Sequence, residues 1–339
     1  MSVCYNAGQP KSSARIVTKK YQHSDNLKDF LGPKHWPTWF AYGCIWTLAQ
    51  LPFSWQMTIG KGLGIAMYHL ARSRRHICEV NIALCFPELS AQEQKKLVRD
   101  TFISNGRGVM EIGLSWCRDP EDFRARVTVK GQEHLYKALA QGRGVLLVSA
   151  HFSTLEIAGS LLALHHQFSV TYRLHKNPLF DTLMKRGRQR HFEEVIERKE
   201  VRKAFRQLQR GKILWYAADQ DYGPRHSVFA EFFGRPAASI TATTTFASVN
   251  NSPVIFLAHY RTQNNQCYEL IFSEPLTDYP TGDEQQDVLR INTLIEAAIR
   301  VAPDQYIWLH RRFKTRPAGL PDPYQRKSPA NSDTSETSQ

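Results

Sequence analysis

VLLVSAHFSTLE, residues 145–156, is the stretch on which the reading of this chain turns. Val145–Ser149 is an unbroken apolar run ending in a serine, the pattern of a strand buried on both faces of a sheet. Past it the period changes, and residues 154–166 read as a helix. His151 therefore falls in the strand-to-helix turn, beyond the carboxyl end of a strand, where α/β sheets build their sites.

Working outward, further strands are expected at Phe168–Tyr172, Ile213–Ala217, residues 254–259 and Tyr268–Phe272. Helical patterns occupy residues 179–191, 200–210, 239–249 and 286–301. In the last of these Val288, Ile291, Ile295, Ala298 and Ile299 share one stripe. Such alternation predicts an α/β fold, with a mixed or mostly parallel central sheet flanked by helices. The 339-residue length suits one large α/β domain with additions, or two domains.

His151 and Glu156 form an H-x-x-x-x-E pattern, which is weak by itself because His226 and Glu231 repeat it. Context separates the two, since the second lies in a Gly/Pro-bounded loop. If His151 is in the turn and Glu156 in the first helical turn, the carboxylate can reach back to the imidazole. It would then fix one ring nitrogen as a donor and leave the other as a base, with the substrate supplying the attacking hydroxyl. A second reading of the same residues stands beside it: Ser153-Thr154-Leu155-Glu156 is a capping box, with Ser153 as N-cap and Glu156 at N3.

Apolar residues make up 42% and charged residues 22%, a composition that excludes disorder over most of the length. The net charge of +13 calls for an acidic partner, whether nucleic acid, anionic lipid or an acidic protein. Residues 173–212 carry 13 Lys/Arg against 5 Asp/Glu, so much of the excess sits there. Six cysteines without a C-x-x-C pattern suit a reduced, cytosol-facing body. No P-loop, dinucleotide fingerprint, H-E-x-x-H or G-x-S-x-G pattern occurs, and no histidine has a deliberate ligand spacing, so no metal is expected.

Residues 36–60 hold no charged side chain over 25 positions, with Trp36, Trp39, Trp46 and Trp55 as interface anchors. The length suffices to cross a bilayer, for which about 20 residues are needed. Pro52 and the polar Gln50, Ser54, Gln56 and Thr58 argue against a simple span. Membrane attachment is expected, spanning or lying in the interface, against the alternative of buried helices in a soluble core. The expected organisation is a basic leader over 1–34, a membrane anchor and amphipathic segment over 35–75, a catalytic domain over 76–317 and a disordered tail over 318–339.

Several blocks occur together and in order: HWPTWF, QLPF and NIALCFPEL, then AHFSTLE, TYRLHKNPLFDTLMKRGRQR, GKILWYAADQDYGPRHSVFAEFFG and ATTTFA. From about residue 31 to residue 317 the chain resembles the late lauroyl/myristoyl acyltransferases of bacterial lipid A biosynthesis, within the lysophospholipid acyltransferase superfamily. The resemblance implies transfer of a fatty acyl group from acyl-carrier-protein to a hydroxyl on the 3-hydroxyacyl chains of a Kdo-bearing lipid A precursor. It implies direct attack, with His151 as base and Glu156 orienting it, and no cofactor beyond the thioester donor. Arg173 is the candidate for oxyanion stabilisation or phosphate binding, or else a surface arginine. Asn177, Arg188, Asp219 and Asp221 are substrate-binding candidates, though Asp219 and Asp221 also suit a plain turn. The partners implied are acyl-carrier-protein, the lipid A precursor and the membrane, without nucleic acid. The place implied is the inner membrane, with the catalytic domain facing the cytoplasm. Two other readings share some features: a glycerophospholipid acyltransferase, and a membrane-tethered basic binding protein needing neither His151 nor Glu156.

Overall fold

Strand β2 (Val145–Ser149) lies in the middle of the molecule because it has no polar face to give to water. Leu146 and Val148 enter one hydrophobic core, Val145 and Leu147 the other, and all four are fully buried. The computed structural model describes residues 26–325, so residues 1–25 of the expected leader and 326–339 of the expected tail lie outside it.

Around β2 runs a seven-stranded sheet made with β1 (Val127–Lys130), β3 (Phe168–Tyr172), β4 (Glu194–Glu197), β5 (Ile213–Ala217), β8 (Val254–Arg261) and β9 (Tyr268–Phe272). Its order is β1-β9-β8-β2-β5-β3-β4. Every pairing is parallel except β8 with β9, so the sheet is mostly parallel, as the alternation predicts. Strands β6 (Ser227–Phe232) and β7 (Arg235–Ile240) form a separate antiparallel ribbon packed on α10 (Glu284–Val301).

Helices cover both faces, since a two-sided apolar sheet requires it. One face carries α3 (Arg72–Cys85), α8 (Val201–Gln209), α9 (Ala242–Ser248) and α10. The other carries α5 (Gln132–Leu139), α6 (Leu155–Leu162), α7 (Pro178–Gln189) and much of α4 (Ala91–Cys117). Helix α4 begins on a true capping box, Ser90 with Glu93.

The 36–60 stretch is not one span. Helix α1 (Trp36–Ala49) stops before Pro52, and α2 (Phe53–Leu70) starts beyond it. Among the described residues no helix is long and apolar enough to cross a membrane. The expected N-terminal membrane helix is thus two shorter helices, and both pack on α4. Glycines allow the α2–α4 approach: a Cβ on Gly106 would sit 2.3 Å from Gly60 O and 2.4 Å from Gly64 N. Beside this seam Arg261 forms a buried, two-pronged ion pair with Glu111, with Nε–Oε1 at 2.6 Å and Nη2–Oε2 at 2.7 Å.

A methyl group on Gly106 has only backbone to push against. Gly106→Ala should lower stability by about 1–3 kcal/mol, the usual size of an overpacking strain. Urea denaturation checks this, and an unchanged midpoint would contradict the close α2–α4 contact.

Candidate active site

Two neighbouring strands deliver the central pair of side chains. Ser149 of β2 is in register with Ala217 of β5, and the pairing continues through Ala218 N to Ser149 O at 3.1 Å. His151 follows Ser149 by two residues, as Asp219 follows Ala217, so both emerge together at the carboxyl edge of the sheet. His151 Nδ1 donates to Asp219 Oδ1 at 2.6 Å. The Asp219 side chain is fully buried, whereas His151 keeps 23% of its side-chain surface and lines a cavity.

The electrostatics suit a base. Burial alone would raise the Asp219 carboxyl pKa, but the His151 charge and hydrogen bond outweigh it and hold the group ionised, far below its usual range. For His151, burial opposes protonation; the Asp219 charge and hydrogen bond, helped by Glu156, overcome it and leave the pKa raised above 6.5. An ionised carboxylate on Nδ1 keeps that nitrogen protonated, so in the neutral ring Nε2 carries the free lone pair.

The partner expected for His151 was Glu156, and the structure places Asp219 there instead. Glu156 turns to Arg188, which contacts it through Nε at 3.2 Å and through Nη2, and to Trp116, whose Nε1 donates at 3.0 Å. Burial would raise the Glu156 pKa, but Arg188 and Trp116 lower it, so the side chain is a carboxylate beside the histidine. The capping reading is also corrected. Helix α6 has Thr154 at its N-cap with no side-chain cap bond, and Ser153 Oγ faces Ser104 Oγ at 3.3 Å. With Ser153 turned away, Glu156 is spared for the ion pair.

The other predicted residues divide. Arg173 follows β3 directly and stands exposed on the cavity rim, and Arg188 lines the wall. Asn177 is not brought to the cavity: its Oδ1 caps α7 by accepting from Phe180 N at 3.1 Å, and its Nδ2 donates to Thr38 Oγ1 of α1 at 2.8 Å. Asp221 borders the cavity, but its oxygens hold the chain, accepting from Gly223 N at 2.8 Å and Thr315 N at 2.6 Å.

The cavity measures about 870 Å³. Val170, Met184, Phe192, Trp215, Phe205 and Phe246 supply apolar wall, a lining that accepts hydrocarbon. Its rim is basic: Arg173, Arg198, Arg225 and Lys314 are exposed there and make no ion pair among the described residues. Among the described residues no three His, Cys, Asp or Glu side chains converge to hold a metal ion. A buried carboxylate–imidazole pair, opening on a greasy slot with a cationic mouth, can deprotonate an alcohol next to an acyl chain.

Sequence reasoning placed Asp219 near the site but missed its part, and it missed Trp116 altogether. A signal for Asp219 exists in the alignment of VLLVSAH with ILWYAAD, two parallel strands each followed by a polar residue at the same distance.

Comparison with known proteins agrees with this chemistry. The family model for bacterial lipid A biosynthesis acyltransferases matches residues 24–315. The chain is 37% identical to the lipid A biosynthesis lauroyltransferase of Escherichia coli K12, over 87% of this chain and 96% of the relative. It is 35% identical to the palmitoleoyltransferase of the same organism, over 86% and 95%, and 27% identical to its myristoyltransferase, over 88% and 94%. The chain belongs to the family of bacterial lipid A biosynthesis acyltransferases.

A base must be neutral to act, so a raised His151 pKa requires that kcat/KM climb with pH through a limb above 6.5. Asp219→Asn should cut turnover by about 10²–10⁴-fold, as loss of an orienting carboxylate does. It should also move that limb downward, because the charge favouring the imidazolium is gone. Steady-state rates across pH check both, and an Asp219→Asn limb at the wild-type position would contradict the assignment.

Proposed function

We propose that the protein moves a fatty acyl group from acyl-carrier-protein to a hydroxyl on a 3-hydroxyacyl chain of a Kdo-bearing lipid A precursor. The observation that carries this reading is the His151–Asp219 pair opening on an apolar cavity. The substrate hydroxyl gives its proton to His151 Nε2 while its oxygen attacks the thioester carbonyl. The C–O bond forms, the tetrahedral oxyanion collapses with loss of the C–S bond, and the leaving thiolate takes the proton from the imidazolium. No enzyme-bound acyl group is needed.

Glu156 and Arg188 act beside this pair. Their charges cancel over distance but not at close range. Arg188 lines the same cavity as His151, which suits it to the oxyanion in this reading, and Glu156 holds its guanidinium. Arg173, out on the rim with Arg198, Arg225 and Lys314, suits a phosphate group on the acceptor rather than the reacting oxygen.

The acceptor is a lipid, and the outer surface of α1 and α2 suits a membrane interface. Trp36, Phe40, Trp46, Trp55 and Ile59 are all exposed, at 62%, 76%, 51%, 62% and 37%. Such a patch of aromatic and apolar side chains favours burial at the headgroup boundary. The Asn177–Thr38 hydrogen bond ties α1 to the segment just past Arg173, so the greasy surface adjoins the cavity rim. This supports an interfacial anchor; in the proposed reading it lies at the inner membrane, with the cavity open to the cytoplasm and its acidic carrier protein. The basic face of α8, including Arg202 and Lys203, is offered to that carrier.

Lipid A mass spectrometry from cells with and without the protein tests the reaction. The protein should add the mass of one acyl chain, and His151→Ala should abolish the addition; an unchanged lipid A profile would refute the reading. For the membrane surface, Phe40→Asp with Trp55→Asp should reduce co-sedimentation with anionic phospholipid vesicles severalfold. Undiminished binding would remove α1 and α2 from that role.

A further inference from the structure

The turn after β2 is strapped from outside by residues 305–307. Ser153 N donates to Gln305 O at 2.7 Å, Ile307 N donates to His151 O at 2.9 Å, and Phe152 forms an antiparallel bridge with Tyr306 between them. The strap is itself fixed, because Gln305 exchanges two hydrogen bonds with the backbone of Arg261, at 2.8 and 2.7 Å. It therefore holds the Tyr306 side chain, fully buried, behind the catalytic pair.

Unused hydrogen-bonding atoms gather at this point. Asp219 Oδ2 is buried without a partner, and so is the Tyr306 hydroxyl. The bridge to Phe152 sets Tyr306 beside the His151 turn, close enough for the Asp219 carboxylate to act on its phenol, and neither atom is in a formed hydrogen bond. A buried carboxylate oxygen left without a donor is costly, which gives Tyr306 a reason to close the gap.

We propose that Tyr306 is a positioning residue of the acyl-transfer centre, its hydroxyl donating to Asp219 Oδ2 and thereby fixing how the other oxygen meets His151. The proposal rests on the functional reading above for its kinetic consequence, but not for its geometry.

The surrounding groups leave this part to Tyr306. His310, on the same segment, donates Nδ1–H to Ile307 O at 2.6 Å, and burial lowers its pKa to about 4. It stays neutral and does not compete with His151 for the carboxylate. His259 of β8 is likewise neutral, lowered to about 3 by burial, with Nδ1 on Thr154 Oγ1 at 2.8 Å. Glu156 and Arg188 face His151 as a mutual ion pair. Tyr216 and Tyr222 feel the Asp219 charge from the β5 side, and Arg312 and Cys85 face Tyr306 from beyond.

The test is Tyr306→Phe in the full-length protein, which removes one oxygen and little else. Without the donor, more of the Asp219 charge bears on His151, favours the imidazolium and carries its titration to higher pH. The expected result is a roughly tenfold fall in kcat with KM unchanged, the size of one hydrogen bond to a charged group. The acid limb should rise in pH, and 3-fluorotyrosine at position 306, a stronger donor, should lower it. The His151 titration in ¹⁵N-histidine NMR should show the same two shifts without needing any transfer. A wild-type protein that transfers no acyl group would defeat the functional reading, and the NMR titration would still judge Tyr306. An unmoved His151 titration in both variants overturns the proposal, including when Tyr306→Phe loses activity together with thermal stability.

Discussion

A carboxylate sealed from water, pressed against an imidazole that keeps one edge on a cavity, is the constraint around which this molecule is arranged. Asp219 cannot be solvated where it lies, so its charge is stabilised by His151. That necessity fixes the ring, assigns the proton to Nδ1 and leaves the lone pair on Nε2. The parallel register of β2 with β5 is what brings the two residues together; β2 is buried throughout and β5 everywhere but half-buried Ala217. Core packing and catalytic geometry are thus one problem here.

The second charged pair solves a different problem. Arg188 comes from the last turn of α7, Glu156 from the first turn of α6, and the indole of Trp116 from the end of α4. Three helices are thereby pinned at the mouth of the reaction chamber. A lone buried arginine beside His151 would depress its basicity, and the Glu156 carboxylate offsets that. The cations without an ion pair among the described residues lie farther out, on the rim, where exposure costs little.

Much of this was legible in the sequence, for identifiable reasons. β2 and β5 fall where the apolar runs mark them, because a strand buried on both faces leaves a nearly uninterrupted signature, and β3 and β9 fall where expected although Thr171, Glu269 and Ile271 are only half-buried. Short β1 and β4 and the β6–β7 ribbon carry alternating or mixed patterns and escaped notice. The 36–60 stretch read as a possible span because it lacks charge; Pro52 and the glycines of the α2–α4 seam, which let backbones touch, decide otherwise. At the site, sequence neighbourhood misled. Glu156 is five residues from His151, yet the carboxylate on the ring is 68 residues away, since strand pairing rather than chain proximity sets the distance. The strap at 305–307 is irregular chain held by backbone hydrogen bonds, which leave no mark on the side-chain pattern.

The chemistry turns on one proton, whose position can be observed directly. Long-range ¹H–¹⁵N correlation on histidine-labelled protein, well above the His151 titration midpoint, distinguishes the two ring nitrogens. The Asp219 contact predicts protonated Nδ1 and a bare, lone-pair-bearing Nε2 for His151. A ring protonated at Nε2 with Nδ1 bare would contradict it, because no base would then face the cavity.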